Sequence, residues 1–332
     1  MSRGRIVLDH GEGGAATARL VRDVFVRHLG GPAVLEDGAI VEAAARVVLT
    51  TDTFVVRPFV FPGGDIGTLA VAGTVNDLAV MGATPKYLTA GFVLEEGLPI
   101  DDLDAIVISM ARTADEAGVR VVAGDTKVVG RGQADGIYIN TSGLGILPDG
   151  CHLSSAGCRP DDCVIVSGPI GDHGMAVVIA RERFGIAGPV ESDCRPVADL
   201  VAAVLTSAPH TRCMRDPTRG GLATTLIDFS EASAVGIRVR EVDVPVRPAV
   251  RAACDVLGLD PFYVPCEGRL VAVVPPDECD AALRALRALP FGRDAMAIGT
   301  VIAAPRGLFV ETSVGGLRPM SPLEGAQLPR IC

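Results

Sequence analysis

The sequence predicts two mixed α/β (α+β) domains followed by a C-terminal tail. Three observations predict it. Strand-like and amphipathic segments alternate irregularly along 332 residues, with no repeated unit. A polar break, Ser154-Ser155-Ala156-Gly157, divides them. From Val314 to Leu328 the apolar pattern fades among Gly315, Gly316, Pro319, Pro322 and Gly325. The expected segments are 1–156, 157–313 and a mobile tail over 314–332.

In chain order, Gly11-Glu12-Gly13-Gly14-Ala15-Ala16 precedes a helix with the apolar face Leu20, Val21, Val24, Phe25 and Leu29. Asp9 and Glu12 would set like charge against a pyrophosphate, so this stretch reads as a flexible arm rather than a dinucleotide fingerprint. A strand over Val47–Asp52 places Asp52 at or near its end. Phe61-Pro62-Gly63-Gly64-Asp65 then opens a long helix with apolar Ile66, Leu69, Ala70, Leu78 and Met81. Asn76 and Asp77 interrupt it, and a carboxylate inside an apolar helix demands a partner or a cation. Gly82 to Pro85 end the helix. A strand over Tyr87–Leu94, a helix over Asp101–Ala117 and a strand over Val119–Ala123 follow. The last delivers Gly124-Asp125-Thr126-Lys127 at its C-terminal end, where ligands collect in α/β folds. A strand over Gly136–Leu147 closes this half.

The second half opens with a strand over Cys163–Ser167, a glycine-rich turn to Gly174 and a helix over Met175–Arg183. His173 reads as a turn or cap residue. A helix over Pro196–Ser207 follows, and Arg215-Asp216-Pro217-Thr218-Arg219-Gly220-Gly221 starts another with Leu222, Leu226 and Phe229 inward. Pro265-Cys266-Glu267-Gly268 leads into a strand over Arg269–Val274. A helix over Asp277–Leu289 and strands over Ala295–Val301 and Leu308–Glu311 complete it.

The composition narrows the function. A hydrophobic content of 48% fills two cores. A net charge of −10 opposes phosphate backbones and anionic lipid, which argues against nucleic-acid binding. The most apolar stretch, Ile66 to Ala83, carries Asn76 and Asp77, so no membrane span is expected. The short apolar run after Ser2-Arg3-Gly4 does not make a signal peptide, and a cytoplasmic location is expected. Nine cysteines lack any C-x-x-C pair, and five histidines lack metal-ligand spacing, so neither a zinc site nor a disulfide framework is expected. Of the 30 basic side chains only Lys86 and Lys127 are lysines; where arginine serves as the generic cation, a retained lysine marks a place for a deprotonatable amine. Cys332 closes the sequence at the end of a tether whose extended reach from Gly315 is roughly 50 Å.

Asp37, Asp52, Asp77, Asp125 and Asp216, beside glycine-rich anion turns, suggest oxygen-ligated Mg²⁺ holding nucleotide phosphates, although no G-x-x-x-x-G-K-[ST] loop occurs. At this point a resemblance enters. Thr50 to Val56, Phe61-Pro62-Gly63-Gly64-Asp65-Ile66-Gly67, Asn76-Asp77 through Pro85, Asp216-Pro217-Thr218-Arg219-Gly220-Gly221-Leu222 and the closing Pro329-Arg330-Ile331-Cys332 resemble, in order and end to end, the HypE family of carbamoyl dehydratases. The asparagine-aspartate helix alone points to the wider aminoimidazole ribonucleotide synthetase superfamily; Pro-Arg-Ile-Cys is the specific part.

The resemblance implies an N-terminal domain that pairs across a homodimer into a β-barrel, with ATP bound between the two domains. It implies ATP and Mg²⁺ binding by Asp37, Asp52, Asp77, Asp125 and Asp216, with Asp65, Asn76 and Arg219 also at the nucleotide. It implies Cys332, Lys127 and Glu267 as catalytic residues. A HypF-type carbamoyltransferase would load a carboxamide onto Cys332, ATP-dependent dehydration would leave a thiocyanate, and cyanide would pass to the iron of a HypC–HypD-type complex for nickel-iron hydrogenase. Two other readings remain open: a small-molecule kinase or synthetase of the same superfamily, and a nucleotide-responsive assembly protein without catalysis.

Overall fold

A computed structural model describes residues 14–20, 39–41, 46–182, 190–325, 328 and 330–332. Asp37 and the arm over 11–13 lie outside them. In chain order the first half contains α1 (Ala15–Leu20), β1 (Ala39–Val41), β2 (Val47–Phe54), β3 (Val60–Phe61), β4 (Gly64–Asp65), α2 (Ile66–Val80), β5 (Thr84–Glu95), α3 (Ile100–Ala117), β6 (Arg120–Val129) and β7 (Ile137–Ile146). Its sheet has the order β1-β2-β7-β5-β6, with β5 and β6 parallel and the other neighbours antiparallel.

Burial alternates along β7: Ile137, Ile139 and Thr141 face inward, while Tyr138, Asn140 and Ser142 face outward. Inward lie α2 and α3. The α2 sequence is apolar on all sides, as a helix enclosed by protein must be, and nearly every residue is buried. Asp65 caps it, accepting from Thr68 N at 2.8 Å.

The second half contains β8 (Cys163–Val166), α4 (Asp172–Glu182), α5 (Ala198–Ser207), β9 (Cys213–Arg215), α6 (Gly221–Ser233), β10 (Gly236–Arg240), α7 (Pro248–Leu257), β11 (Val271–Val274), α8 (Cys279–Arg287), β12 (Met296–Ile302), β13 (Gly307–Glu311) and β14 (Leu317–Met320). Its sheet has the order β14-β13-β10-β12-β8-β11-β9.

Three expectations are corrected. First, β6 does not stop at Ala123 but continues to Val129, so Asp125 and Lys127 are mid-strand. Gly124 marks a close approach, not a strand end: a Cβ there would stand 2.8 Å from Ala90 O. Second, the tail begins later than 314. Gly315, at φ 84°, turns the chain so that β14 pairs antiparallel with β13, and Pro319 is tolerated because β14 is an edge strand. Third, Cys163 and Cys279 form a disulfide between β8 and the start of α8, a pairing across 116 residues that no spacing rule exposes. No helix among the described residues is long and apolar enough to cross a membrane.

One buried side chain ties the halves together. Asn76, fully buried on α2, donates from Nδ2 to Arg195 O (3.1 Å) and Glu267 O (3.3 Å), while its Oδ1 accepts from Val197 N (2.8 Å). Asn76→Leu leaves those backbone groups without partners and is expected to lower unfolding free energy by about 2–4 kcal/mol, read by urea denaturation. A wild-type midpoint and slope would show that the groups find other partners.

Candidate active site

The first wall of the cleft comes from β2 and α2. Asp52 lies on the inner face of β2, in register with fully buried Thr141. Its Oδ1 accepts from Thr53 N at 2.9 Å, and burial raises its pKa in spite of the nearby Arg219 charge. Asp77, the carboxylate inside the apolar helix, accepts from Thr50 Oγ1 at 2.8 Å. β2 and α2 thus bring both carboxylates to one side of the sheet.

The opposite wall belongs to the second half. Gly220 and Gly221 have positive φ, and a Cβ on Gly221 would meet Phe262 O at 2.7 Å. This tight entry to α6 projects Arg219, whose Nη2 stands 3.9 Å from Asp52 Oδ1. Cys266 N donates to Pro217 O at 3.0 Å, which fastens the Glu267 segment to the Asp216 loop. Glu267 is itself held through its backbone: its N–H donates to Asp193 Oδ1 (3.1 Å), and its carbonyl accepts from Arg195 N (3.3 Å) as well as Asn76. The Glu267 side chain is 1% exposed and its Oε1 has no hydrogen-bond partner among the described residues. Burial pushes its pKa well up, Asp216, Asp52 and Asp193 push it further, and Arg219 opposes them. Asp216 is buried beside it.

The tail enters this cleft. Val55 N donates to Cys332 O (3.4 Å) and Arg57 N to Arg330 O (3.2 Å), a short antiparallel clip just beyond β2. Arg330 adopts left-handed backbone, φ 56°, donates from Nε to Val55 O and pairs with Asp135. Ile331 is buried in the first core. His173, fully buried at the start of α4, bonds Ser192 Oγ through Nδ1 (2.8 Å) and Ile331 O through Nε2 (2.9 Å). Cys332 Sγ lies 3.7 Å from Arg219 Nη1, and Coulombic attraction to Cys332, ahead of Asp52, Glu267 and Asp77, raises the Arg219 pKa against the opposing effect of burial.

Cys332, Asp52, Asp77, Asp216, Arg219 and Glu267 therefore converge, whereas four expected residues are placed otherwise. Asp65 caps α2 and lies 2.6 Å from Ser109 Oγ, so its carboxylate is committed to the helix start. Asn76 bridges the halves. Asp125 and Lys127 bond each other at 2.6 Å and are exposed on the outer face, in the row Asp125, Gly91, Asn140, Thr53 or one step along from it. Within one chain they point away from Asp52 and Asp77. Among the described residues no three His, Cys, Asp or Glu side chains stand close enough to hold a metal ion. The mutual carboxylate repulsion felt by Glu267 does fit a cation near Asp52 and Asp77, and Mg²⁺ commonly takes one or two carboxylates plus phosphate oxygens. His173, Asp135 and Arg181, which donates from Nη2 to Arg330 O at 2.6 Å, were not anticipated as tail contacts; no spacing signal links them to residues so far along the chain.

Models of the AIR synthase related protein family match twice, the N-terminal domain over residues 35–147 and the C-terminal domain over 159–310. The carbamoyl dehydratase HypE of Azotobacter vinelandii is 49% identical over 336 aligned positions that cover 100% of this chain and 98% of the relative. The chain belongs to the HypE family. Solved HypE structures share its shape. The HypE–HypF complex matches with a TM-score of 0.88 and 43% identity, covering 92% of this chain and 99% of that one. The hydrogenase maturation protein HypE in complex with ATP matches with 0.84 and 44%, covering 99% and 100%.

Glu267 gives this HypE-family cleft a pH signature. A carboxyl whose folded pKa is raised costs nothing below its ordinary value of 4.5 and destabilises progressively as pH climbs from there towards the folded value. Glu267→Gln removes that slope. The variant is expected to gain on wild type by up to about 1.4 kcal/mol per pH unit across that interval in denaturant unfolding, and parallel curves would contradict the burial of an ionisable carboxyl.

Proposed function

We propose that the chain dehydrates a carboxamide carried on the Cys332 thiol to a thiocyanate, supplying cyanide for the iron of nickel-iron hydrogenase. The observation that carries this reading is the seating of Cys332 Sγ beside Arg219, in a cleft that also holds Asp52 and Glu267. The net step is R–S–C(=O)NH₂ plus ATP to R–S–C≡N plus ADP and phosphate: the carbon–oxygen bond breaks, oxygen leaves with the phosphoryl group and both amide protons are removed. ATP supplies the phosphoryl group that turns this oxygen into a leaving group. Asp52 and Asp77 would hold Mg²⁺, which neutralises phosphate charge. Arg219 steadies anionic charge next to the sulfur. Glu267, with its raised pKa, is a strong base once deprotonated and takes amide protons inside a dehydrated site.

A HypF-type carbamoyltransferase loads Cys332 and a HypC–HypD-type complex receives the cyanide, all in the cytoplasm. The chain acts as a homodimer built on the outer sheet face, where Leu49 and Tyr87 are exposed on either side of Leu144. Asp125 and Lys127 lie on that face, so a second copy is what would bring the lysine to a cleft.

Intact mass tests the reading. After incubation with carbamoyltransferase, carbamoyl phosphate and MgATP, the wild type is expected to gain one carboxamide and then lose one water, while Cys332→Ser stays unmodified. ATP hydrolysis with an unchanged wild-type mass would move the assignment to a kinase or synthetase with a diffusible acceptor.

A further inference from the structure

The carbonyl one residue before the reactive cysteine is read by a single imidazole, and the proton positions around it follow from the partners. Ser192 Oγ receives the N–H of Cys194 at 3.0 Å, and an amide nitrogen can only donate. Ile331 O, which faces Nε2 of His173, can only accept, so the neutral ring carries its proton on Nε2. Nδ1 then accepts the hydroxyl hydrogen of Ser192. All the bonds run in one direction, from Cys194 through Ser192 and His173 to the tail. Burial lowers the His173 pKa, which keeps the ring in this neutral form.

The surroundings fix the ring. Phe61 meets it edge-on, with centroids 5.3 Å apart at 87°. Ser192 N donates to Pro62 O at 2.8 Å, and this approach needs Gly63, where a Cβ would lie 2.7 Å from Ser192 N. A neutral donor also suits a ligand that departs: a desolvated arginine or lysine left empty would be far costlier than an imidazole. We propose that His173 and Ser192 are positioning residues that seat the C-terminal tail, turning Cys332 towards Arg219 by holding the Ile331 carbonyl. Their effect on turnover rests on Cys332 being the carrier; their effect on seating does not.

The test is the alkylation rate of Cys332 by iodoacetamide in the full-length protein, localised on the C-terminal peptide by mass spectrometry. His173→Ala is expected to raise it roughly tenfold, the worth of about one buried hydrogen bond, and His173→Gln, which keeps an N–H donor, to return it close to wild type. Should His173→Ala fail to fold, Ser192→Ala keeps the ring and is expected to raise the rate severalfold. In ¹⁵N spectra of histidine-labelled wild type, His173 is expected as the neutral Nε2–H tautomer. Wild-type alkylation rates in folded His173→Ala or Ser192→Ala, or an Nδ1–H or charged ring in the wild type, would overturn the proposal. If Cys332→Ser retains turnover while His173→Ala still uncovers the thiol, the carrier assignment fails and the seating stands.

Discussion

The cleft depends on a buried amide. Asn76 reaches from a helix enclosed by the first core to three backbone groups of the second half, so the two sheets cannot slide relative to each other without stranding polar atoms. The same helix carries Asp77 one residue later, and the same bond network grips the backbone of Glu267. An uncharged crosslink therefore sets the spacing of the charged groups. A salt bridge in its place would have carried a desolvation cost and added charge to a cleft already crowded with it.

That crowding is the second constraint. Burial and the charges of Asp216, Asp52 and Asp193 raise the affinity of Glu267 for a proton, and Arg219 is the counter-charge that opposes them. An arrangement of this kind is a poor way to stabilise a fold and a good way to receive cationic or phosphorylated groups, because the electrostatic strain is relieved on binding. The paired scaffolds around it are conventional: Asp193 meets Arg269 in the interior, and Arg330 meets Asp135 at the rim.

Much of this was legible in the sequence, for physical reasons. An aspartate in a helix apolar on every side has few explanations, and Asp77 is such a residue. A double glycine before an apolar helix fixed the Arg219 turn. Periodicity located α2, α3, α6 and the strands β2, β5 and β7 to within a few residues. It failed at β6 because glycine in a strand has two meanings, termination and close backbone approach, which one sequence does not separate. The sequence reading passed over β9 and β10, of 3 and 5 residues, and also over α7, although Pro248, the inward Val250, Ala253 and Cys254, and Gly258 mark it as an amphipathic helix. His173 was readable only as a cap, since its partners, Ser192 and Ile331, are brought to it by folding. Asn76, set at the nucleotide by the resemblance, has backbone partners in the second half that only folding brings to it.

The β13–β14 hairpin changes how the tail should be regarded. With the chain anchored through Met320, roughly a dozen residues separate the last sheet contact from Cys332. A random chain of that length has a root-mean-square span near 20 Å. Its terminal group then samples a volume corresponding to an effective concentration in the millimolar range. The thiol is in effect a ligand dosed at millimolar level to its own cleft, so contacts that are individually weak suffice to seat it. Any partner that draws it away competes against that local dose with its own far lower bulk concentration.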